Sequence, residues 1–81
     1  MREVYVAVRC YAGGEYVGVF GSLDDAENAM LRKYGHTICR TPDAQEVAEW
    51  GDNVVSVLCF HLAPSEAVAR ILREEVEEPK D

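Results

Sequence analysis

The strongest constraint on the fold of this chain is a strict alternation of side chains near its start. Val4, Val6, Val8 and Cys10 alternate with Tyr5, Ala7, Arg9 and Tyr11. A period of two predicts a β-strand with one uniformly apolar face. The glycine pair Gly13-Gly14 supplies the backbone freedom of a tight reversal, so residues 15–20 are predicted to return as the second strand of a hairpin. Gly18 inside that strand indicates a bulge or close packing by a neighbour.

The apolar spacing changes to a helical period after Gly21. Ser22 followed by Asp25 has the spacing of an acidic capping box, and Gly35 stands where a helix commonly stops. The sequence therefore predicts a helix over residues 22–34. Its apolar stripe comprises Leu23, Ala26, Met30 and Tyr34.

Two further helices are predicted in the second half of the chain. Thr41-Pro42 fits an N-cap followed by proline at the first helical position, and Gly51 closes the segment. The last helix starts at residues 63–65 and presents a single stripe. The stripe comprises Val68, Ile71, Leu72 and Val76.

Two other segments have strand character. Residues 36–40 are short and ambiguous, and would form an edge strand. Residues 54–62 are apolar on both faces, which favours a central strand paired with the first one. We therefore expect one α+β domain over residues 1–81, of order ββα(β)αβα. Its antiparallel sheet would have three or four strands and helices mainly on one face, with residues 76–81 as a frayed acidic tail.

The net charge of the chain restricts the kinds of partner that it can bind. Fifteen acidic and eight basic side chains give a formal net charge of −7. Such a charge disfavours direct binding to nucleic acid and to anionic membranes. It favours a basic protein partner, and it is equally explained by solubility alone.

The compartment is predicted from two absences in the sequence. No window reaches the roughly 20 apolar residues of a membrane-spanning helix. Three cysteines, odd in number and far apart, do not form a disulfide framework. Both observations predict a cytoplasmic protein.

One constellation deserves a test for metal or thiol chemistry, and it comprises His36, Cys39, Cys59 and His61. These residues offer four soft ligands, but their spacing matches no zinc module, and buried cysteine commonly packs as a small hydrophobe. A small zinc-binding or thiol-dependent protein is therefore the alternative hypothesis. The principal prediction is a chain that is not an enzyme and has no cofactor and no metal.

The aromatic residues of the hairpin are the candidate binding residues. Tyr5, Arg9 and Tyr11 lie opposite the valine stripe, and Tyr16 starts the second strand. If helices cover the valines, these side chains are exposed, and Tyr and Arg are enriched at interface hot spots. Ordinary cross-strand pairing on a solvated sheet explains them as well. Trp50 is either a core residue or a second anchor.

The N-terminal segments also match a recurring pattern. The stretches concerned are Val4-Tyr5-Val6-Ala7-Val8, Gly18-Val19-Phe20 and Ser22-Leu23-Asp24-Asp25-Ala26-Glu27. They resemble the opening ββα half of a group of small, uncharacterised phage and bacterial α+β proteins. The resemblance implies a fold, and phage origin would imply a protein that binds and modulates a host factor such as a defence system. Edge-strand pairing into a homodimer is compatible with that role.

Overall fold

A single antiparallel sheet dominates the fold. The computed structural model describes residues 2–11 and 15–77, which form five strands and two helices. In chain order these are β1 (Arg2–Arg9), β2 (Tyr16–Phe20), α1 (Leu23–Lys33), β3 (Thr37–Arg40), α2 (Ala44–Trp50), β4 (Val54–Phe60) and β5 (Ala63–Val76).

The strands lie in the order β2-β1-β5-β4-β3, and every neighbouring pair is antiparallel. The first and last strands are therefore direct neighbours, with a register that runs from Arg2 opposite Val76 to Arg9 opposite Ala69. The predicted tail over 76–81 begins inside β5, because Val76 is paired, and residues 78–81 lie outside the described part.

The predicted last helix is wrong, because residues 63–76 form the central strand of the sheet. A strand in the centre of a sheet can bury both of its faces. Ile71 is 0 % exposed in the cluster beneath α1, whereas Leu72 packs on the opposite face against the valines of β1. The apolar residues interpreted as one helical stripe are thus divided between the two faces of the strand.

The predicted fold class is wrong in the number of strands and in their pairing. The sheet has five strands instead of three or four, since β5 is added and the ambiguous 36–40 segment does form an edge strand, β3. Strand β4 pairs with β3 and β5 instead of β1, so β5 takes the position expected for β4.

The helix after the hairpin is confirmed. Ser22 caps α1, and its hydroxyl accepts a hydrogen bond from the backbone N–H of Asp25. Ala26 and Met30 are buried against the sheet, in a cluster that includes Ala7, Leu58, Ala69 and Ile71. Helix α1 ends at Lys33 with Tyr34 as its C-cap, and the left-handed residue that follows is His36, with φ of 60°, and not Gly35.

The second helix lies on the other face of the sheet. Arg40, Val57, Arg70 and Val8 are successive partners across four strands, so they share one face. Glu46 of α2 forms an ion pair with Arg40 on that face, and Trp50 stacks on Arg70 there. The expectation of helices mainly on one face is therefore wrong.

Strand β2 is irregular near its start. The pairing passes from Ala7 opposite Gly18 to Val8 opposite Tyr16, so β2 has one extra residue, Val17, at this point. The ring of Phe20 lies over Gly18, and a Cβ atom there would stand 3.0 Å from it. Both readings of Gly18, a bulge and close packing, are confirmed.

No helix within residues 2–11 and 15–77 has the length and apolar character needed to cross a membrane.

Candidate protein-binding surface

Helix α1 covers the tyrosine face of β1 and not its valine face, on which the exposure of the tyrosines was predicted to depend. Helix α1 covers the face of Tyr5 and Ala7, and the valine stripe forms a separate small cluster with Leu72. Tyr5 is half-buried and packs against the main core. Of the four predicted binding residues, Tyr5 is thus a packing residue.

The other three predicted residues meet at the end of the β1–β2 hairpin. We call this surface the hairpin end, and it comprises Arg9, Tyr11, Glu15, Tyr16, Lys33 and Tyr34. The backbone N–H of Arg9 donates to the carbonyl oxygen of Glu15 at 3.0 Å, which closes the hairpin. The Arg9 guanidinium forms an ion pair with the Glu15 carboxylate and lies 5.2 Å from the centre of the Tyr11 ring. The Arg9 side chain is therefore held between an acid and an aromatic ring.

Two tyrosines of the hairpin end are exposed. Tyr11 retains 47 % and Tyr16 retains 79 % of its accessible surface. Tyr16 starts β2, an edge strand, since within the described residues β2 pairs with β1 alone. Val19, further along this strand, is 63 % exposed.

Tyr34 belongs to the same surface, although the sequence pattern placed it only in the helical stripe. Its hydroxyl and the Nε of Arg9 are buried and have no hydrogen-bond partner within residues 2–11 and 15–77. Burial and, to a smaller extent, the neighbouring Tyr11 raise the pKa of Tyr34. The Lys33 ammonium lies 5.9 Å from the centre of the Tyr34 ring. Nothing in the helical period predicts that the end of α1 meets the hairpin.

The depression at the hairpin end is small, at about 110 Å³. Sites for small molecules commonly occupy about 300–1,000 Å³. A depression of this size fits a single side chain of a partner better than a separate ligand.

A second groove of about 320 Å³ separates α2 from the sheet. Its floor contains the Arg40–Glu46 pair, in which Arg40 Nη2 donates to Glu46 Oε2 at 2.8 Å. The Arg40 guanidinium, supported by the backbone N–H of Asp43, lowers the pKa of Glu46 against the opposing effect of burial. Trp50 is half-buried in the wall of this groove, with the Arg70 guanidinium 5.2 Å from its ring. Within this groove, Arg40, Asp43 and Glu46 are hydrogen-bonded to one another.

The four candidate metal or thiol residues do not converge. Cys39 of β3 pairs with Leu58 of β4, whereas Cys59 of β4 pairs with Ile38 of β3. Paired residues share a face and successive residues alternate, so the side chains of Cys39 and Cys59 lie on opposite faces of the sheet. His36 and His61 are both exposed and meet only through their backbones, where His61 N–H donates to His36 C=O at 2.8 Å. Among the residues that the structure describes, no group of three or more His, Cys, Asp or Glu is arranged to hold a metal ion.

The thiols of Cys39 and Cys10 are also poorly activated. Burial, assisted by the charge of Glu27, raises the pKa of the Cys39 thiol to about 11. Burial also raises the pKa of the Cys10 thiol, although Arg70 lies close and opposes the shift. A cysteine nucleophile reacts as the thiolate, so these two residues are predominantly in the unreactive form near neutral pH.

Comparison of the chain with protein-family models, with curated proteins and with solved structures finds no match.

Proposed function

We propose that this chain is a non-enzymatic protein-binding module that uses the hairpin end as its contact surface. The observation that supports the proposal most directly is the pair of exposed tyrosines, Tyr11 and Tyr16, beside the oriented guanidinium of Arg9. Tyrosine and arginine are over-represented among residues that dominate binding energy.

The hairpin end is also pre-organised. The Arg9–Glu15 ion pair and the hydrogen bond that closes the hairpin restrict the side chain of Arg9 before a partner arrives. Restricting side chains in advance lowers the entropy lost on binding.

The proposal extends to the identity of the partner. The resemblance of the N-terminal stretches to small phage and bacterial proteins supports a chain that, if phage-encoded, binds and inhibits or modulates a host factor, such as a defence system, in the host cytoplasm. The net charge of −7 supports a basic partner. The hairpin end itself is of mixed charge, with Arg9 and Lys33 against Glu15, so a basic partner would meet the acidic residues elsewhere on the surface.

Affinity capture from bacterial lysate, followed by measurement of the affinity for the captured protein, tests the proposal. We expect the Tyr11→Ala, Tyr16→Ala double variant to bind at least about tenfold more weakly than the unchanged chain, because each hot-spot residue contributes about 1–2 kcal/mol or more. The matched control is Leu62→Ala, which removes a side chain that is 93 % exposed in the β4–β5 turn.

Equal binding by the double variant and the unchanged chain would contradict the proposed surface. Tyr5→Ala is unsuitable as a test, because Tyr5 packs against the core and its loss would weaken the fold as well.

A further inference from the structure

The groove between α2 and the sheet has a fixed floor. Arg40 of β3 forms this floor, because its Nε donates to the carbonyl oxygen of Pro64 at 3.2 Å and its Nη2 donates to Glu46 Oε2 at 2.8 Å. The capping box of α2 holds Glu46 in turn. The Arg40 guanidinium therefore connects β3, α2 and the start of β5, and its charge is matched by that of Glu46.

Helix α2 forms one wall of the groove, and a bulge of β5 forms the other. The bulge comprises residues 64–66, which lie between Ala63 and Ala67, the residues that pair with β4. Bulges commonly re-aim side chains beside functional sites. The side chains that line the two walls are those of Gln45, Glu49, Trp50, Ser65 and Ala67. The space of about 320 Å³ between the walls is sufficient for one long side chain of a partner.

The charged groups that line the groove leave an excess of negative charge. Three carboxylates, those of Asp43, Glu46 and Glu49, stand against the single guanidinium of Arg40. Since Arg40 pairs with Glu46, the excess lies at Asp43 and Glu49, and both are exposed. Glu49 takes part in neither of the ion pairs found within residues 2–11 and 15–77. The last turn of α2 contains no basic residue, so the negative end of the helix dipole adds to this potential.

Trp50 gives the same groove an apolar surface. Its ring is half-buried, and Glu49 precedes it in the chain and lines the same wall. Long basic side chains pack their methylene groups along apolar surface while the charged end stays in polar surroundings. Trp50 and Glu49 supply these two surroundings side by side.

We propose that this groove binds a lysine or arginine side chain of a basic protein partner, with the methylene groups against Trp50 and the cation beside Glu49 and Asp43. An acidic side chain would be repelled there, and an apolar one would desolvate the two carboxylates without pairing them. The inference rests on the proposed protein-binding function and locates the acidic contact that the hairpin end, being of mixed charge, does not provide.

Titration of the whole chain with the peptide acetyl-Lys-Lys-Lys-amide tests the inference. The indole N–H signal of Trp50, the single tryptophan of the chain, reports binding in an NMR spectrum. We expect this signal to shift with a dissociation constant on the order of 1 mM at low ionic strength, as for a few exposed charge pairs. Glu49→Gln should raise the constant at least about threefold, because it removes the charge beside Trp50 and keeps the shape of the side chain.

Glu75→Gln is the matched control. It makes the same change of net charge at an exposed residue of β5 that does not line the groove, so we expect the dissociation constant to change by less than about 1.5-fold. The Tyr11→Ala, Tyr16→Ala double variant should bind the peptide unchanged. Failure at the groove is therefore distinguishable from failure at the hairpin end.

Three results would overturn the inference. The first is a Trp50 signal that does not move at peptide concentrations up to ~10 mM. The second is an equal loss of affinity in Glu49→Gln and Glu75→Gln, which would show attraction to the net charge alone. The third is spermidine, which carries the same charge without peptide groups, binding as tightly as the peptide, because the occupant would then be a free polyamine.

Discussion

Glu46 shows how one buried carboxylate can connect a helix to the sheet. Its side chain accepts from both terminal nitrogens of Arg40 and from the backbone N–H of Asp43, while the Asp43 side chain accepts from the Glu46 N–H. It is 9 % exposed, and buried charges are tolerated only when they are paired and hydrogen-bonded. The predicted N-cap, Thr41, is wrong: Asp43 caps the helix, and Glu46 completes the capping box.

We expect Glu46→Gln to lower the free energy of unfolding by about 1–3 kcal/mol at pH 7, because it removes the charge opposite Arg40. The folded-state pKa of Glu46 lies below its ordinary value of 4.5. The stabilisation is therefore complete above about pH 4.5 and is lost as the pH falls through the folded-state pKa. Urea unfolding at several pH values should show the two proteins converging in acid.

Glu49→Gln is the matched control, because Glu49 lies on the same helix and is exposed. We expect a change within about 0.5 kcal/mol at either pH. A difference between Glu46→Gln and the unchanged chain that persists at low pH would show that shape, and not charge, accounts for the effect.

The candidate site was partly predictable at this scale. Alternation along β1 correctly separates Tyr5 and Arg9 from the valines, but it cannot tell which face a helix will cover. That depends on the connection from β2 into α1, which brings α1 over the Tyr5 side. Tyr11 is predicted by its alternation with the valines and Tyr16 by its place at the start of the second strand, whereas predicting Tyr34 requires knowledge of where α1 ends.

At the scale of elements, β5 is the segment in which local preference and tertiary structure disagree. Ala, Glu, Arg and Leu are good helix formers, and residues 63–76 are rich in them. The segment nevertheless forms a strand, because β1 and β4 each need a partner for their free edges and their apolar faces. Helix α1 was predictable because capping, period and burial agree there, and β5 was not because its pattern of apolar residues fits both periods.

A double-mutant cycle distinguishes the strand from the helix. In a strand, Ile71 and Leu72 lie on opposite faces, so only Ile71 shares a cluster with Met30 of α1. We expect the Ile71→Ala and Met30→Ala changes, each costing about 2–5 kcal/mol, to be coupled by about 0.5 kcal/mol or more. Unfolding of the single and double variants in urea measures this coupling.

The control cycle pairs Leu72→Ala with Met30→Ala, and we expect these effects to add within about 0.5 kcal/mol. Comparable coupling in both cycles would contradict the assignment of the two residues to different faces.

At the scale of the whole molecule, the topology determines how the chain can fold. The register of β1 and β5 joins residues near the two ends of the described chain, such as Glu3 with Glu75 and Val6 with Leu72. The other central contact, β4 with β5, is a local hairpin. The β1–β5 half of the sheet's centre therefore forms only when the long loop between these strands closes. Closing that loop costs chain entropy before any β1–β5 contact is gained.

We expect refolding from urea to take milliseconds to seconds, as in other domains dominated by distant strand pairs. Stopped-flow fluorescence of Trp50, which stacks on Arg70 of β5, reports the step at which β5 joins the sheet. Substitutions in the β4–β5 hairpin and substitutions in β1 should alter the folding rate differently, because only those in β1 affect the pairing of β1 with the distant strand β5. A microsecond folding phase of full amplitude would contradict this view.

The central position of β5 also has a consequence for synthesis on the ribosome. Because β5 is made after the other strands and lies between β1 and β4, the edges of β1 and β4 that it pairs with stay unoccupied until it has been made. A nascent chain halted before β5 would expose two strands ready to pair with other polypeptides. An interruption of synthesis within residues 63–76 would therefore be far more harmful than an interruption within the last strand of a chain whose first strands form the centre of the sheet.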